Sequence, residues 1–174
     1  MWPTNDEIPL GCSVMSDVSS ALRLLNAYMN DESDENPPSV ELIRVRDRLV
    51  ENFKDVPSED HYALTYLISE TRQDMSEPVK TALQRMVNSR DRAAGTWARA
   101  LLYRLYKDEH QLDILLESGC LRNSENEGCL DALLPIVYEA MEGNQKAQQA
   151  VQTLYDDPKV DEMLKEIIRR NYFG

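Results

Sequence analysis

The chain of 174 residues is long enough for one good core and short for two domains. Its formal net charge of -12 argues against general affinity for nucleic acid or anionic membranes, and it favours basic partners. No apolar run approaches the roughly 20 residues that a membrane span needs, and the first residues lack the basic lead of a signal peptide, so we expect a cytoplasmic protein.

The first predicted helix follows a proline-containing leader. Ser16 suits its N-cap, and the helix ends near Asn30, where the sequence continues as NDESDENPP over residues 30–38. A stretch with four acids and a double proline cannot bury enough apolar surface to offset its ordering entropy, so we predict an acidic loop. This loop is either a solvated connection or a docking strip for a basic protein. The acids that would form the strip are Asp31, Glu32, Asp34 and Glu35.

Three further helices are predicted before residue 90, each with apolar residues at helical spacing. They open at Ser39, Ser58 and Ser76, because a serine oxygen can accept a hydrogen bond from a backbone amide of the first turn. The first of them closes before Pro57, since a residue preceding proline is pushed out of the α region. Pro78 does not interrupt the third, because proline is tolerated in the first turn.

The stretch from Asp91 to Tyr106 is the one around which we expect the fold to be organised. Its apolar residues recur at the i, i+3, i+4, i+7 spacing of a core-facing helix, and they are Ala94, Trp97, Ala98, Leu101 and Leu105. The other side is basic and aromatic, and Arg and Tyr are enriched in interface hot spots. The candidate partner-binding residues on that side are Arg92, Arg99, Tyr103 and Tyr106, with Lys107 beside them.

A competing interpretation applies to this basic, aromatic side. A central helix packed on both sides would make Tyr103 and Tyr106 core residues, and Arg99 a partner for the chain's own acids. Residues 72–107 hold eight basic and three acidic residues, a net charge of +5, which leaves -17 of the total for the flanks. A basic middle between acidic ends can be self-complementary within one fold, with surface pairs worth about 0–1 kcal/mol each, or it can be a site.

The sixth and seventh predicted helices lie on either side of a polar loop. Asp108 caps the sixth, and Gly119 stops it in the left-handed position that follows many helices. The seventh runs from about Cys129 to Glu142. Pro135 inside it removes one hydrogen bond and clashes with the preceding turn, which predicts either a kink or a helix that begins just before Pro135.

The eighth predicted helix follows Gly143 and Asn144, and the last opens at Asp157 and Pro158 as N-cap and first helical residue. No segment shows the sustained period-2 alternation of a strand or a hairpin signal. The sequence therefore predicts an all-α fold: a single domain over 1–174, built as a multi-helix bundle or a short α-hairpin array of about eight to nine helices.

The array alternative comes from the spacing of the predicted helix starts. They lie 13 to 21 residues apart, close to half the period of helical-hairpin repeats. A tetratricopeptide pattern around Trp97 would want Leu, Gly and Tyr where this chain has Ala100, Leu101 and Arg104. That consensus is not met, so the choice between bundle and array stays open.

The two histidines, His61 and His110, each follow a pair of acids. A carboxylate-bridged di-iron site in a helical bundle needs Glu three residues before each histidine, where this chain has Ser58 and Lys107. We therefore expect both histidines to be exposed first-turn residues, with the neighbouring acids favouring the helix dipole.

Cys12, Cys120 and Cys129 are an odd number of cysteines in a chain without a secretory signal, which favours reduced thiols over a disulfide framework. Cys120 and Cys129 with His110 could supply three zinc ligands, but a fourth ligand and the tight spacing of cysteine pairs are missing. Buried apolar cysteines fit better. The chain also has no Gly-rich phosphate loop, nucleophile elbow or zinc-protease motif, so we predict no catalytic residue, metal or cofactor.

The leading functional prediction is a non-catalytic interaction module, an acidic helical protein that binds and neutralises or escorts one basic protein partner. Small acidic inhibitors such as immunity proteins and antitoxins use negative potential to speed encounter with a basic active site, and an adaptor would use the same chemistry. The alternative is a regulatory helical domain associated with nucleic acid through the basic 72–107 segment, although the net charge argues against direct binding. The third is an enzyme without a recognisable motif. A homo-oligomer is compatible with each.

Overall fold

The computed structural model describes residues 14–30, 39–72 and 76–174, and the side chains within them from residue 18 onward, except that of residue 39. In these ranges the chain forms nine α-helices and no strand, which confirms the all-α prediction. The predicted acidic loop and one cysteine fall outside the described residues, and the residues concerned are Asp31, Glu32, Asp34, Glu35 and Cys12.

Backbone contacts divide the chain into two compact units, Met1–Arg85 and Met86–Gly174. The prediction of a single domain over residues 1–174 is not tested by this division and stays a prediction. None of the helices in the described ranges has the length and the hydropathy that crossing a bilayer requires.

Four helices begin in the first unit: α1 (Val14–Asn30), α2 (Ser39–Glu51), α3 (His61–Glu70) and α4 (Glu77–Met86). Helix α1 packs against α2 and α3, and α2 also packs against α3. Two predicted starts are wrong by two or three residues. Ser16 lies inside α1 and is not its N-cap, and Ser58 opens a short 3-10 turn that precedes α3.

Arg46 is a charged residue in the core of the first unit. Its side chain is fully buried, and its Nη1 donates hydrogen bonds to the carbonyl oxygen and, at 3.5 Å, to Oγ1 of Thr71. Thr71 follows the last residue of α3, where carbonyl groups without helical partners attract cations. Asp47 forms an ion pair of 2.9 Å with Nη2 of the same guanidinium. Arg46 therefore fixes α2 against the end of α3.

The second unit contains five helices: α5 (Arg92–Tyr106), α6 (Glu109–Glu117), α7 (Cys129–Met141), α8 (Gln145–Asp156) and α9 (Glu162–Ile168), which a π-helical turn, Arg169–Phe173, follows. Helix α5 packs against α6 and α7, α7 against α8, and α8 against α9. The core between them includes Leu112, Leu133, Ile136, Val151 and Leu164. Helix α5 therefore has neighbours on two sides within its own unit.

Four helix starts of the second unit agree with the sequence prediction, those of α5, α6, α7 and α8, and two of them have side-chain caps. The carboxylate of Asp91 accepts a hydrogen bond from the backbone amide of Ala94 at 3.2 Å and caps α5. Asn144 caps α8 in the same way, since its Oδ1 accepts from the amide of Ala147 at 3.0 Å. Both caps satisfy amides that have no partner inside the helix.

The prediction that Asp157 and Pro158 open the last helix is wrong. The carboxylate of Asp157 accepts from the backbone amide of Lys159 at 2.8 Å, so this stretch forms a turn. The helix begins after Asp161, whose Oδ1 accepts from the amide of Leu164 at 3.0 Å. Asp161 is therefore the N-cap of α9.

Helix α7 runs through Pro135 and begins at Cys129, so the alternative start just before Pro135 is wrong. Gly128 precedes the helix in the left-handed conformation, with φ of 77°, which favours glycine. A Cβ at this position would lie 2.6 Å from the carbonyl oxygen of Ala93 in α5. Glycine thus lets the loop before α7 approach the first turn of α5.

Candidate functional site

The basic and aromatic side of α5 is largely engaged inside the second unit. Of the four candidate partner-binding residues on this side, Arg92 is exposed, Arg99 and Tyr106 are half-buried, and Tyr103 is only 1% exposed. Nη1 of Arg99 donates a hydrogen bond to Oε1 of Gln111 in α6 at 2.7 Å. This side of α5 therefore contributes more to packing than to the surface.

Tyr103 is a core residue, which is the alternative that the sequence left open. Its hydroxyl donates to Oδ1 of Asn144 at 2.7 Å, the oxygen that also caps α8. Burial, and after it the charges of Glu139 and Glu109, raise the pKa of Tyr103 to about 12. The phenol is thus held neutral as a hydrogen-bond donor that joins α5 to the start of α8.

Glu139 of α7 pairs with two of the basic residues of the middle segment. Its carboxylate is 5% exposed, and it accepts from Nη1 of Arg104 at 3.3 Å and from Nζ of Lys107 at 2.7 Å. Nη2 of Arg104 also donates to Glu142 at 3.0 Å. Because a buried carboxylate must be compensated, these bases stabilise the contact of α5 with α7. The pairing supports the self-complementary interpretation of the charge pattern.

The outer side of α7 carries a row of apolar residues, which we name the α7 stripe: Leu130, Leu134, Tyr138 and Met141. They follow one another at four, four and three residues, a spacing that keeps them on one side of a helix. Leu130, Tyr138 and Met141 are 37%, 39% and 53% exposed, and Leu134 is half-buried. Large apolar side chains are therefore presented together along this helix.

The charge around the α7 stripe is acidic. Residues 123–145 contain five acids and neither Lys nor Arg. Glu139 points inward to its two bases, whereas Glu125, Glu127 and Glu142 are exposed and Asp131 is partly so. The stripe consequently has acids beside it at both ends of α7.

A polar cavity of about 440 Å³ lies at the start of α5 and contains the exposed Arg92. Its other walls are the end of α6 and the loop before α7, including Cys120, Asn126 and the acids Glu125 and Glu127. One arginine facing two carboxylates favours neither an anion nor a cation. The α7 stripe is therefore the stronger candidate site.

The histidines and cysteines show one correction, at His61, and two agreements, at His110 and Cys129. His61 is buried, with its ring stacked on Phe53 at 4.8 Å between centroids, so the prediction that it is exposed is wrong. His110 is exposed as predicted. Cys129 lies in the core, and burial, followed by the proximity of Cys120, raises the pKa of its thiol to about 12. In the described part of the chain, no three His, Cys, Asp or Glu side chains gather as metal ligands would.

Comparison with protein-family models, with curated proteins and with solved structures found no match to this chain.

Proposed function

We propose that this protein is a non-catalytic acidic module that binds one basic protein partner and neutralises or escorts it. The observation that carries the proposal is the outer side of α7, where exposed apolar residues lie among acids, while the nearest bases, Arg104 and Lys107, pair with Glu139 and Glu142. Exposed apolar patches rimmed by polar residues are typical of surfaces that bind other proteins. An inhibitor and an adaptor would both use such a surface.

Each part of this surface has a separate role in binding. The acids attract a basic partner over a distance, which raises the association rate. The apolar side chains lose contact with water only when the complex has formed, so they slow its dissociation. The two roles can therefore be measured separately.

The alternative of nucleic-acid binding needs basic side chains that reach phosphate groups. Arg104 and Lys107 pair with Glu139, which reduces the positive charge that the middle segment presents. The exposed arginines of the 72–107 segment, which this alternative would use, are Arg72, Arg85, Arg90 and Arg92. A basic protein is favoured because the acids of the second unit outnumber its bases by 15 to 11.

The test is recovery of the bound partner from the native host with the tagged protein, with and without nuclease treatment. We expect a basic protein that stays bound after nuclease treatment and is released by salt. A bait with Glu125→Gln and Glu127→Gln should recover less of it, because two exposed acids of the proposed surface are neutral. Recovery of nucleic acid without a protein would contradict the proposal.

A further inference from the structure

We infer that the α7 stripe binds an amphipathic helix of the basic partner. The partner's basic side chains then lie beside the acids that flank the stripe. The inference rests on the proposed function and adds the contact surface and the class of structure that it binds.

The dimensions of the stripe suit a helix. Leu130 and Met141 are eleven residues apart on α7, which at 1.5 Å per residue is about 16 Å, or three turns. Side chains at four, four and three residues form a ridge of the kind that packs into the groove of another helix. Within the described ranges there is no strand, and thus no sheet edge onto which a partner strand could add.

The charge of the surroundings selects a basic occupant. A partner helix along the stripe would meet Glu127 and Asp131 near one end. Near the other end Glu142 pairs with Arg104, whose guanidinium lies 5.5 Å from the ring centroid of Tyr138, so the acidic excess is concentrated at the start of α7. A second copy of this chain would bring the same acids against themselves, which electrostatic repulsion disfavours. Lysine or arginine at the borders of an apolar face would meet acids instead, so charge complementarity favours a helix with a basic polar side.

The probe is a synthetic peptide of about 18 residues, made of Leu and Lys, whose leucines lie on one side of a helix. One control peptide has the same composition with its leucines spread around the helix. A second control peptide has Glu in place of Lys. For the measurement by NMR, the methionine methyl groups of the protein are labelled with 13C. Their signals are assigned with single Met→Leu substitutions.

The chain supplies a matched control for the stripe. Met141 in the stripe is 53% exposed, and Met163 on α9, outside the stripe, is 57% exposed. We expect the Leu-Lys helix to shift the methyl signal of Met141 and to leave that of Met163 in place. The double variant Leu130→Gln/Met141→Gln should bind this peptide at least about tenfold more weakly, and Met163→Gln should change the affinity by less than about twofold. Circular dichroism should show unchanged melting, since all three side chains are exposed.

An unmoved Met141 signal, parental affinity in the double variant, or equal binding of the two Leu-Lys peptides would overturn the inference. So would a dimer of the parent that Leu130→Gln/Met141→Gln converts to a monomer, or neutral lipid vesicles that move the Met141 signal. In any of these cases, Glu125→Gln/Glu127→Gln is compared with the parent for binding of the Leu-Lys peptide. If the variant binds this peptide more weakly, the proposal of a basic partner is retained and only the proposed contact surface is wrong. Equal binding of the Lys and Glu peptides would remove the inference and the proposed function together.

Discussion

At the scale of the residue, Arg46 shows which part of a buried polar contact is visible in sequence. It lies on the same side of α2 as Leu42, Val45 and Leu49, all of which are buried. An arginine within an apolar side of a helix is a signal for a buried charge with a polar partner. Its partner Thr71 is 25 residues further along the chain, after another helix, so no local pattern contains the contact.

We predict that Arg46→Ala lowers the free energy of unfolding by about 3 kcal/mol. The change removes a charged donor from the buried carbonyl of Thr71 and leaves a cavity in the core. Arg72→Ala is the control, because Arg72 is exposed and should change stability by less than about 0.5 kcal/mol. The measurement is urea denaturation, and equal midpoints for Arg46→Ala and the parent would contradict the prediction.

We predict a loss of stability in alkali that depends on Tyr103. Its pKa is raised to about 12 in the folded protein from an ordinary value of 10.0, first because it is buried. The unfolded chain therefore releases this proton more readily than the folded chain, so the stability that Tyr103 contributes below pH 10 is lost as the pH rises toward 12.

Tyr103→Phe isolates this effect, because phenylalanine does not titrate. The variant should lose less unfolding free energy than the parent between neutral pH and about pH 11. At neutral pH it should be about 1 kcal/mol less stable, since Asn144 loses the hydroxyl donor. Tyr138→Phe, at an exposed position, is the control. If the free energy of unfolding changed equally with pH in the parent and in Tyr103→Phe, the prediction that the Tyr103 hydroxyl is buried would be contradicted.

At the scale of the element, the helices whose ends are fixed by local chemistry were predictable. Asp91 caps α5 through the amide of Ala94, three residues away. Because both partners lie in one short stretch of the chain, this cap can be predicted from the local sequence. The start of α9 was not predictable in this way, because an aspartate before proline suits an N-cap and a turn equally. Asp161 is selected as the cap by a contact with the distant loop before α7, where its Oδ2 accepts from the amide of Ser124 at 2.6 Å.

We predict that Asp161→Ala destabilises the protein by about 1–2 kcal/mol, since it removes the cap of α9 and the acceptor for Ser124. Although burial raises the pKa of Asp161, the hydrogen bonds from Ser124 and Leu164 outweigh it and hold the pKa below its ordinary value. A depressed pKa means that this stability is present above about pH 4 and is lost as the pH falls through the folded value.

Asp157→Ala is the matched comparison, because Asp157 is the cap that sequence alone suggests. It should cost less than Asp161→Ala in thermal and urea melts at neutral pH. A larger loss of stability for Asp157→Ala than for Asp161→Ala would contradict Asp161 as the N-cap and would indicate a helix that begins at Asp157 and Pro158. Below about pH 4, the free energy of unfolding should also fall less steeply with decreasing pH for Asp161→Ala than for the parent.

Helix α7 carried a signal for the candidate site. Its sequence, CLDALLPIVYEAM, is apolar on nearly every side, and such a helix is expected to be covered all round. In the structure one side is covered by α5 and α8, and the α7 stripe remains exposed. The apolar excess was therefore visible in sequence, whereas the side left exposed depends on where the neighbouring helices pack.

At the scale of the whole molecule, charge was the most informative sequence feature and the least specific one. The net charge of -12 and the basic middle segment were plain, and both a binding surface and internal pairing were compatible with them. The pairs that Glu139 forms with Arg104 and Lys107 join residues 35 and 32 positions apart. Only the packing of α5 on α7 brings these residues together, so sequence could not choose between the two interpretations.

The final prediction concerns the rate at which the protein meets its basic partner. If long-range attraction drives the encounter, the association rate should fall as salt shortens the Debye length from about 30 Å at 0.01 M to about 8 Å at 0.15 M. Replacing Asp31, Glu32, Asp34 and Glu35 together by their amides should slow association without changing the melting temperature, because a loop of that composition contributes little to a core.

Substitutions in the α7 stripe should act on the other rate constant. Met141→Gln should speed dissociation and leave association nearly unchanged, since apolar anchors hold a complex that has already formed. Stopped-flow binding of these variants at several salt concentrations separates the two contributions, with Met163→Gln as the control. An association rate that responds neither to salt nor to the loss of the four acids would remove charge as the reason for the choice of partner, and the stripe alone would then have to supply the specificity.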